Sequence, residues 1–441
     1  MTAGVRAARI LVVLSWSIEL LRTVAGLEVL RWPAALLLAL YLLLILPSLR
    51  SSGRWMALAL LGVAVVIAAV AGRPAALLDG LAFATVFPAF LATMVLLRVA
   101  AAVHPRVETV RRRVAQLDRP QRQAGFMLAA HLLAALVTAG AFAVLGPLRP
   151  AGLGEPDRRR LALACLRGAN LAVLWSPFFL GMAVSTQLVP GVPTWQVTVL
   201  GLALAAEAMA LAMAPMGGAA AVAVSTAVRA LAPIVPPVAA AAVLIVAVST
   251  MLGTSPLGTV FVVVPPLVAG WLLSQPKTSA LRVVRDGWRG LATLGDEMLL
   301  VVTVSILSRV LAAVPWTADL VEAVLAFGLP PVGLIAALLA LIVGLALAGL
   351  HPLASVSVVL ALMAGTTPAI APLVLVAIGV LGWALGTMVG PTSLSVLLAS
   401  ASFDVAPRRL VVGINLVFVA AFATLAVGTL GLLNGWLTTP G

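Results

Sequence analysis

Along the chain, long apolar runs alternate with short polar ones. Runs that predict helices cover 8–28, 33–49, 55–72, 80–103, 125–147, 168–190, 196–217, 231–252, 254–272, 293–314, 331–366, 370–402 and 409–435. Most approach or exceed the roughly twenty residues that carry a helix across a bilayer. The longest polar stretches are 104–124 and 148–160, so no separate polar domain is expected. One run does not fit a simple span. Residues 125–147 carry no charge, yet Arg119 and Arg122 precede them and Arg149, Arg158, Arg159 and Arg160 follow. Cytoplasmic loops collect Lys and Arg, and a spanning helix cannot have both ends on one side. The pattern therefore predicts that 125–147 is a re-entrant hairpin, entering from the cytoplasm and returning to it.

That one assumption orders the charges. The cytoplasmic side then holds Arg6 and Arg9, Arg50 and Arg54, six arginines in 104–124, and Arg149, Arg158, Arg159, Arg160 and Arg167. It also holds Arg229, Lys277, Arg282, Arg285, Arg289, Arg408 and Arg409, which brings it to 22 of the 27 basic residues. The stretch PGVPTW (190–195), placed outside, has no charge, and PWTADLVEA (315–323) has only acids. The remaining five are Arg22, Arg31, Arg73, Arg98 and Arg309; Arg98 and Arg309 lie near helix ends, where a long side chain can snorkel to the interface.

Composition agrees with this reading. The chain is 63% hydrophobic and 9% charged, with a mean hydropathy of +1.19. That is an all-α polytopic membrane protein with no soluble domain. The net charge of +13 sits in short loops, where it sets topology and meets anionic lipid headgroups of the bilayer, so no nucleic-acid partner is expected. Cys165 is the sole cysteine, which excludes a disulfide framework and a cysteine metal cluster. The basic, then apolar N-terminus lacks a small-residue cleavage site and reads as a first membrane helix over 1–30.

The second half repeats the first. WSPFFLGMAVSTQLVPGVP (175–193) aligns with VGPTSLSVLLASASFDVAP (389–407), pairing Pro177 with Pro391 and Pro193 with Pro407. LLRVAAAV (96–103) aligns with LSRVLAAV (307–314), and HLLAALVTA (131–139) with HPLASVSVV (351–359), pairing His131 with His351. Under the charge-derived topology the matched units have opposite orientation. The expected layout is a first repeat over 31–217, with a hairpin near 125–147 and a broken helix near 168–190. Linking helices and a cytoplasmic loop follow over 218–292. The rest of the second repeat, 293–441, has a hairpin near 331–366 and a broken helix near 370–402. Eleven spans and two re-entrant hairpins result, with the N-terminus cytoplasmic and the C-terminus outside. Inverted repeats with broken helices belong to secondary transporters that bind substrate at the bilayer midplane.

CLRGANLAVLWSPFFLGMAVS (165–185) resembles the broken-helix motif of the ion transporter superfamily, and ALGTMVGPTSLSVLLASASFDVAPRRLVVGINLVF (384–418) resembles its counterpart in the second half. The divalent anion:sodium symporters, and the arsenite and sodium/proton carriers related to them, are the members it is similar to. The resemblance implies an elevator-type carrier in a bacterial-type inner membrane, assembled as a homodimer. In it, hairpin tips and helix breaks bind substrate and a coupling ion, H+ or Na+, with no other cofactor. The symporters carry a Ser-Asn-Thr motif at each hairpin tip, whereas the tips here read HLLAALVT and HPLASVS.

Candidate binding residues follow from polarity within apolar runs. They are His131 and Thr138 in the first hairpin and Asn170, Ser176 and Pro177 at the first break. In the second hairpin they are His351, Pro352, Ser355 and Ser357, and at the second break Thr387, Gly390, Pro391, Thr392, Ser393 and Ser395. An ionisable residue inside a membrane is a functional candidate, and histidine titrates near neutral pH; the structural alternative is that each histidine caps a hairpin arm or bonds a backbone carbonyl. Proline frees a carbonyl of the preceding turn, which suits cation coordination, while the following half-helix offers N–H groups to an anion. A plain proline kink is the alternative. Glu207 is the one acid deep in a predicted span, a proton or cation relay or else an interhelical partner of a basic group. Asp404 reads as interfacial, and Asp286, Asp296 and Glu297 as solvated or helix-capping. The expected activity is secondary active transport of a small organic or inorganic anion, such as a carboxylate, coupled to protons or sodium. A cation/proton antiporter or oxyanion efflux carrier is the alternative. An enzyme is not expected, because the spans hold no HExxH, GxSxG or paired aspartates.

Overall fold

The computed structural model describes residues 3–49, 51–217, 219–364 and 369–438. Arg50 lies outside these, as do Gly218 at the start of the linking segment, positions 365 and 366 at the end of the second hairpin segment, and the side chain of Arg119. All regular structure among the described residues is helical. Among the described residues, seven helices are long and apolar enough to cross a membrane, or up to nine if each of two bent pairs counts as one span. The chain thus has the architecture of a polytopic integral membrane protein.

In chain order the helices are α1 (Ala3–Ala25), α2 (Arg31–Ile45), α3 (Ser51–Val70), α4 (Ala75–Phe83), α5 (Val86–Ala102) and α6 (Pro105–Ala115). Next come α7 (Arg119–Val137), α8 (Gly140–Leu145), α9 (Glu155–Leu171), α10 (Leu180–Leu188), α11 (Thr194–Met213), α12 (Ala219–Leu231) and α13 (Val235–Leu252). Then follow α14 (Pro256–Leu273), α15 (Lys277–Gly290), α16 (Gly295–Ala313), α17 (Trp316–Leu325), α18 (Pro331–Leu347) and α19 (Pro352–Met363). The last four are α20 (Pro372–Val389), α21 (Leu394–Phe403), α22 (Pro407–Val411) and α23 (Ile414–Thr438). The segment 231–252, expected as one span, is instead α13 preceded by α12 at an angle of 79°. Two of the polar stretches are amphipathic helices rather than loops: α6 buries Val107, Val110 and Val114, and α15 buries Val283.

The chain divides into two compact units. The first comprises Met1–Ala100, Thr254–Phe327 and Leu360–Thr366. Small residues let its helices approach closely, as is usual in membranes: a methyl group at Gly80 of α4 would lie 2.5 Å from the Ile306 Cα of α16. Trp16 of α1 donates to the Thr93 hydroxyl of α5 at 3.3 Å. Glu19 of α1 is fully buried and paired with Arg22 at 2.6 Å, whereas Glu207 of α11 is half-buried, so the acid that a predicted run holds most deeply is Glu19. The second repeat unit 295–313, shifted by the sequence offset of 211, would fall on 84–102, almost the bounds of α5.

The second unit comprises Ala101–Gly253, Gly328–Val359 and Thr367–Gly441. It contains both breaks, α7 and α8 over the expected first hairpin, and α18 with the start of α19 over the expected second. Shifting α10 by the sequence offset of 214 gives 394–402, which starts where α21 starts and stops one residue before it ends. The half-helices that follow the two breaks thus have nearly matching bounds. The first break leaves 175–179 non-helical and the second leaves 390–393 non-helical. α9 begins at Glu155, well before the expected 168, because Gly154 and the acids Glu155 and Asp157 start a helix ahead of the arginines. Arg167, counted above with the cytoplasmic loops, consequently lies inside α9 and is buried.

The two broken helices run antiparallel. Arg149 and Arg158, just before and within the first turn of α9, reach the Phe403 carbonyl and Asp404 at the end of α21. Arg159 donates to the Arg409 carbonyl, and Arg409 pairs with Glu155. At the other end, a methyl group at Gly181 of α10 would lie 2.6 Å from the Trp383 ring of α20. Each break therefore lies beside the other.

The hairpin regions also differ from expectation in register. The turn after α7 is at Thr138 and Ala139, whereas the turn after α18 is at 348–351. His131 consequently sits within α7, and His351 sits at the start of α19. Their alignment in sequence does not make them equivalent in structure, because one shared His in an Ala/Leu/Val background fixes no register.

A close approach in this unit is α7 on α9, where a methyl group at Gly168 would lie 2.1 Å from the Met127 carbonyl oxygen. Gly168→Ala is expected to lower stability by about 1–3 kcal/mol, the usual range for overpacking. Gly344→Ala in α18, where an added methyl meets nothing within 4 Å, leaves it unchanged or raised. Thermal unfolding of both variants in detergent checks this; equal melting would refute the close approach.

Candidate functional site

Asn170 lies in the last turn of α9, buried at 3% exposure. Its Nδ2 donates to the Leu166 carbonyl one turn back at 2.8 Å, which turns Oδ1 outward. That oxygen accepts from Thr387 Oγ1 at 2.7 Å and from Ser395 Oγ at 3.0 Å. Thr387 is near the end of α20, and Ser395 is in the first turn of α21, so one amide oxygen grips the second helix on both sides of its break. Thr387 also lies within reach of the Trp383 and Ala384 carbonyls, but a hydroxyl has one proton, and the Asn170 oxygen is the nearest acceptor.

The second break is held internally by Ser393. Its hydroxyl donates to the Thr387 carbonyl at 2.6 Å and accepts from the Val396 N–H at 3.2 Å, capping α21. Gly390 leaves space that a side chain would fill: a methyl group there would lie 2.9 Å from the Gly386 carbonyl oxygen. Pro391 and Thr392 are exposed, and Thr392 reaches the Gly349 carbonyl at the turn between α18 and α19 at 3.5 Å. Pro352 packs against Gly386, so the start of α19 seats beside the second break. His351 Nδ1 accepts from the Leu353 N–H at 3.2 Å and so caps α19, with its ring edge-on to Trp383. Ser355 donates to the Pro352 carbonyl, and Ser357 is buried in the same helix.

α7 seats on the first break by different chemistry. Trp175 Nε1 donates to His131 Nε2 at 2.9 Å, and His131 Nδ1 lies 3.2 Å from the Gly168 carbonyl. Indole can only donate, so Nε2 accepts and the proton is on Nδ1, donated to Gly168. Nδ1 thus holds α7 to α9, and Nε2 holds α7 to the break at Trp175. Ser176 donates to the Ala135 carbonyl at 2.7 Å and accepts from the Phe178 N–H; Pro177 lies between them in the break. Thr138 closes α7 with φ 49 and ψ −126, a conformation that β-branched residues rarely adopt. Such outliers gather at functional positions.

Three groups thus emerge: Asn170, Thr387, Ser393 and Ser395 at the crossing; His131, Ser176 and Pro177 at the first break; His351, Pro352, Gly390 and Thr392 at the second. Glu207 stands apart. Its Oε1 accepts from Thr429 of α23 at 2.8 Å, while its Oε2 is buried without a hydrogen-bond partner among the described residues. A search of known protein families and of curated proteins finds no match to the chain.

Polarity within the predicted runs left out three residues that the site uses. Asn415 donates to the Met388 carbonyl at 3.0 Å and accepts from Arg167 Nε at 3.0 Å. Asn434 accepts from the Ala371 N–H and donates to the Ala369 carbonyl at the start of α20. Asn170, Asn415 and Asn434 are the only asparagines in the chain, and all three are buried against a break or an end of α20. The rarity of amides in so apolar a sequence was the signal. Arg167 was missed because its neighbours Arg158 to Arg160 made it look like part of a loop.

Trp175→Phe removes the indole N–H and leaves the His131 nitrogen buried without a partner. It is expected to cost about 1–3 kcal/mol, and the Trp175→Phe/His131→Phe pair less than the sum of the single changes. A double-mutant cycle by thermal unfolding checks this; strict additivity would mean that the two rings do not interact.

Proposed function

We propose that the chain is a secondary active transporter of a small organic or inorganic anion, such as a carboxylate, coupled to protons or sodium. One observation carries the reading: Asn170 bridges Thr387 and Ser395 where two antiparallel broken helices pass each other. Broken helices place orphan carbonyls and N–H groups at the same depth from opposite directions, and that is the chemistry of a midplane substrate and ion site. The nearly matching bounds of the half-helices after the breaks support an inverted architecture. The grouping of both breaks with the first hairpin and most of the second in one compact unit supports an elevator-type carrier, in which that unit travels. Eleven spans with two re-entrant hairpins, a cytoplasmic N-terminus, an external C-terminus, a bacterial-type inner membrane and a homodimer complete the proposal, with the ion transporter superfamily as the resemblance behind it.

A second reading, a cation/proton antiporter or oxyanion efflux carrier, draws on the buried, unpartnered Oε2 of Glu207. A carboxylate inside a membrane is a natural proton or cation ligand.

Proteoliposomes adsorbed on a solid support distinguish the two. Carboxylates, oxyanions and monovalent cations are applied in turn, with and without sodium and at two pH values. The transporter reading expects currents from one anion class, abolished in Asn170→Ala with the protein still folded. The antiporter reading expects currents from cation or pH jumps alone, lost in Glu207→Gln. Anion currents of wild-type size in Asn170→Ala would remove the crossing as the substrate site.

A further inference from the structure

Arg167 is the thirteenth residue of the seventeen in α9 and is 8% exposed. Its Nε donates to Asn415 Oδ1 at 3.0 Å and its Nη2 to the Ile414 carbonyl at 3.1 Å. The guanidinium lies 4.2 Å from the centre of the Phe418 ring. Every one of these partners is neutral, and Arg167 forms no ion pair among the described residues. Two other α9 arginines reach acids, Arg158 to Asp404 and Arg160 to Asp157, while the half-buried Arg159 donates to the Arg409 and Val412 carbonyls.

A buried charge without a counter-charge costs several kcal/mol. Neutral dipoles and a ring face offset part of that cost, and a bound anion would offset more. The position suits one. Arg167 and Asn170 are three residues apart, hence neighbours on one face of α9, with Cβ atoms about 5–6 Å apart. Asn170 bonds Thr387, and Asn415 carries the Arg167 contact to the Met388 carbonyl, the next residue along. The cation therefore borders the crossing of the breaks.

We propose that Arg167 selects anions at this crossing, a carboxylate or oxyanion of the substrate supplying the counter-charge that the protein withholds. This rests on the transporter reading above and adds the residue that sets the sign of the substrate. Asn415 is a positioning residue: it holds the guanidinium without neutralising it.

The test uses the full chain in proteoliposomes, with currents from acetate, succinate, citrate and phosphate set against acetamide and succinamide. Wild type is expected to respond to at least one anion and to neither amide. Arg167→Gln is expected to lower that anion current at least about tenfold, as expected for loss of a buried charge contact, while Arg167→Lys keeps part of it. The decisive comparison is at position 415. Asn415→Ala and Asn415→Asp both remove the donor to Met388, but only the aspartate gives Arg167 a permanent counter-charge. Asn415→Ala is expected to keep selectivity for anions over amides, and Asn415→Asp to lose the anion current even though it elutes and melts as a folded protein. Wild-type anion currents in Arg167→Gln or in Asn415→Asp would overturn the assignment and leave the transporter reading standing. If Arg167→Gln fails to fold, the contrast between the two position-415 variants decides alone. Wild type that responds to amides or cations and to no anion would overturn the transporter reading itself.

Discussion

At membrane depth the carbonyls and N–H groups that a helix break frees need partners within the protein or in a polar cavity that it encloses. This constraint accounts for most of the polar contacts near the crossing. His131 serves the Gly168 carbonyl, Ser176 that of Ala135, Ser393 that of Thr387 and Asn415 that of Met388. Each donor comes from a break or from an element packed on it. α7 and α23 are thus tied to the breaks by the same bonds that satisfy the freed backbone groups.

α23 shows how far this goes. Asn415 and Asn434 are nineteen residues apart, about 28 Å along a helix, and α20 spans eighteen residues. The two amides therefore clasp α20 at both ends, one at Met388 and the other at Ala369 and Ala371. A helix held at both ends keeps Thr387 where Asn170 can reach it. Arg167, bonded to Asn415 and Ile414, ties α9 into the same clasp.

The sequence revealed these features unevenly. Proline and glycine within apolar runs located both breaks, because backbone chemistry at those residues is local and leaves a mark. The repeat offset of 214 located the half-helices almost to the residue. Apolar periodicity failed where polarity and position came apart. Glu155 and Asp157 open α9 amid arginines that resemble a loop, and α6 and α15 buried one valine-bearing face of what read as polar connections. His131 and His351 matched by letter but not by element. The amides were visible as three rare residues, but their partners are backbone carbonyls far away in sequence, and no pattern of side chains announces those.

The two breaks are alike in frame but not in what they leave open. Ser393 caps the half-helix α21 with its hydroxyl, whereas α10 begins at Phe179 with no side-chain cap. The first N–H groups of α10 thus lack the partner that α21 has, and a helix N-terminus carries roughly half a positive charge. The guanidinium of Arg167 lies in α9, the other half of the same broken helix, one turn before Asn170. On the proposed anion-carrier reading, an uncapped half-helix and a buried cation at the first break favour a ligand whose negative end faces it, while the second break caps its own half-helix with Ser393.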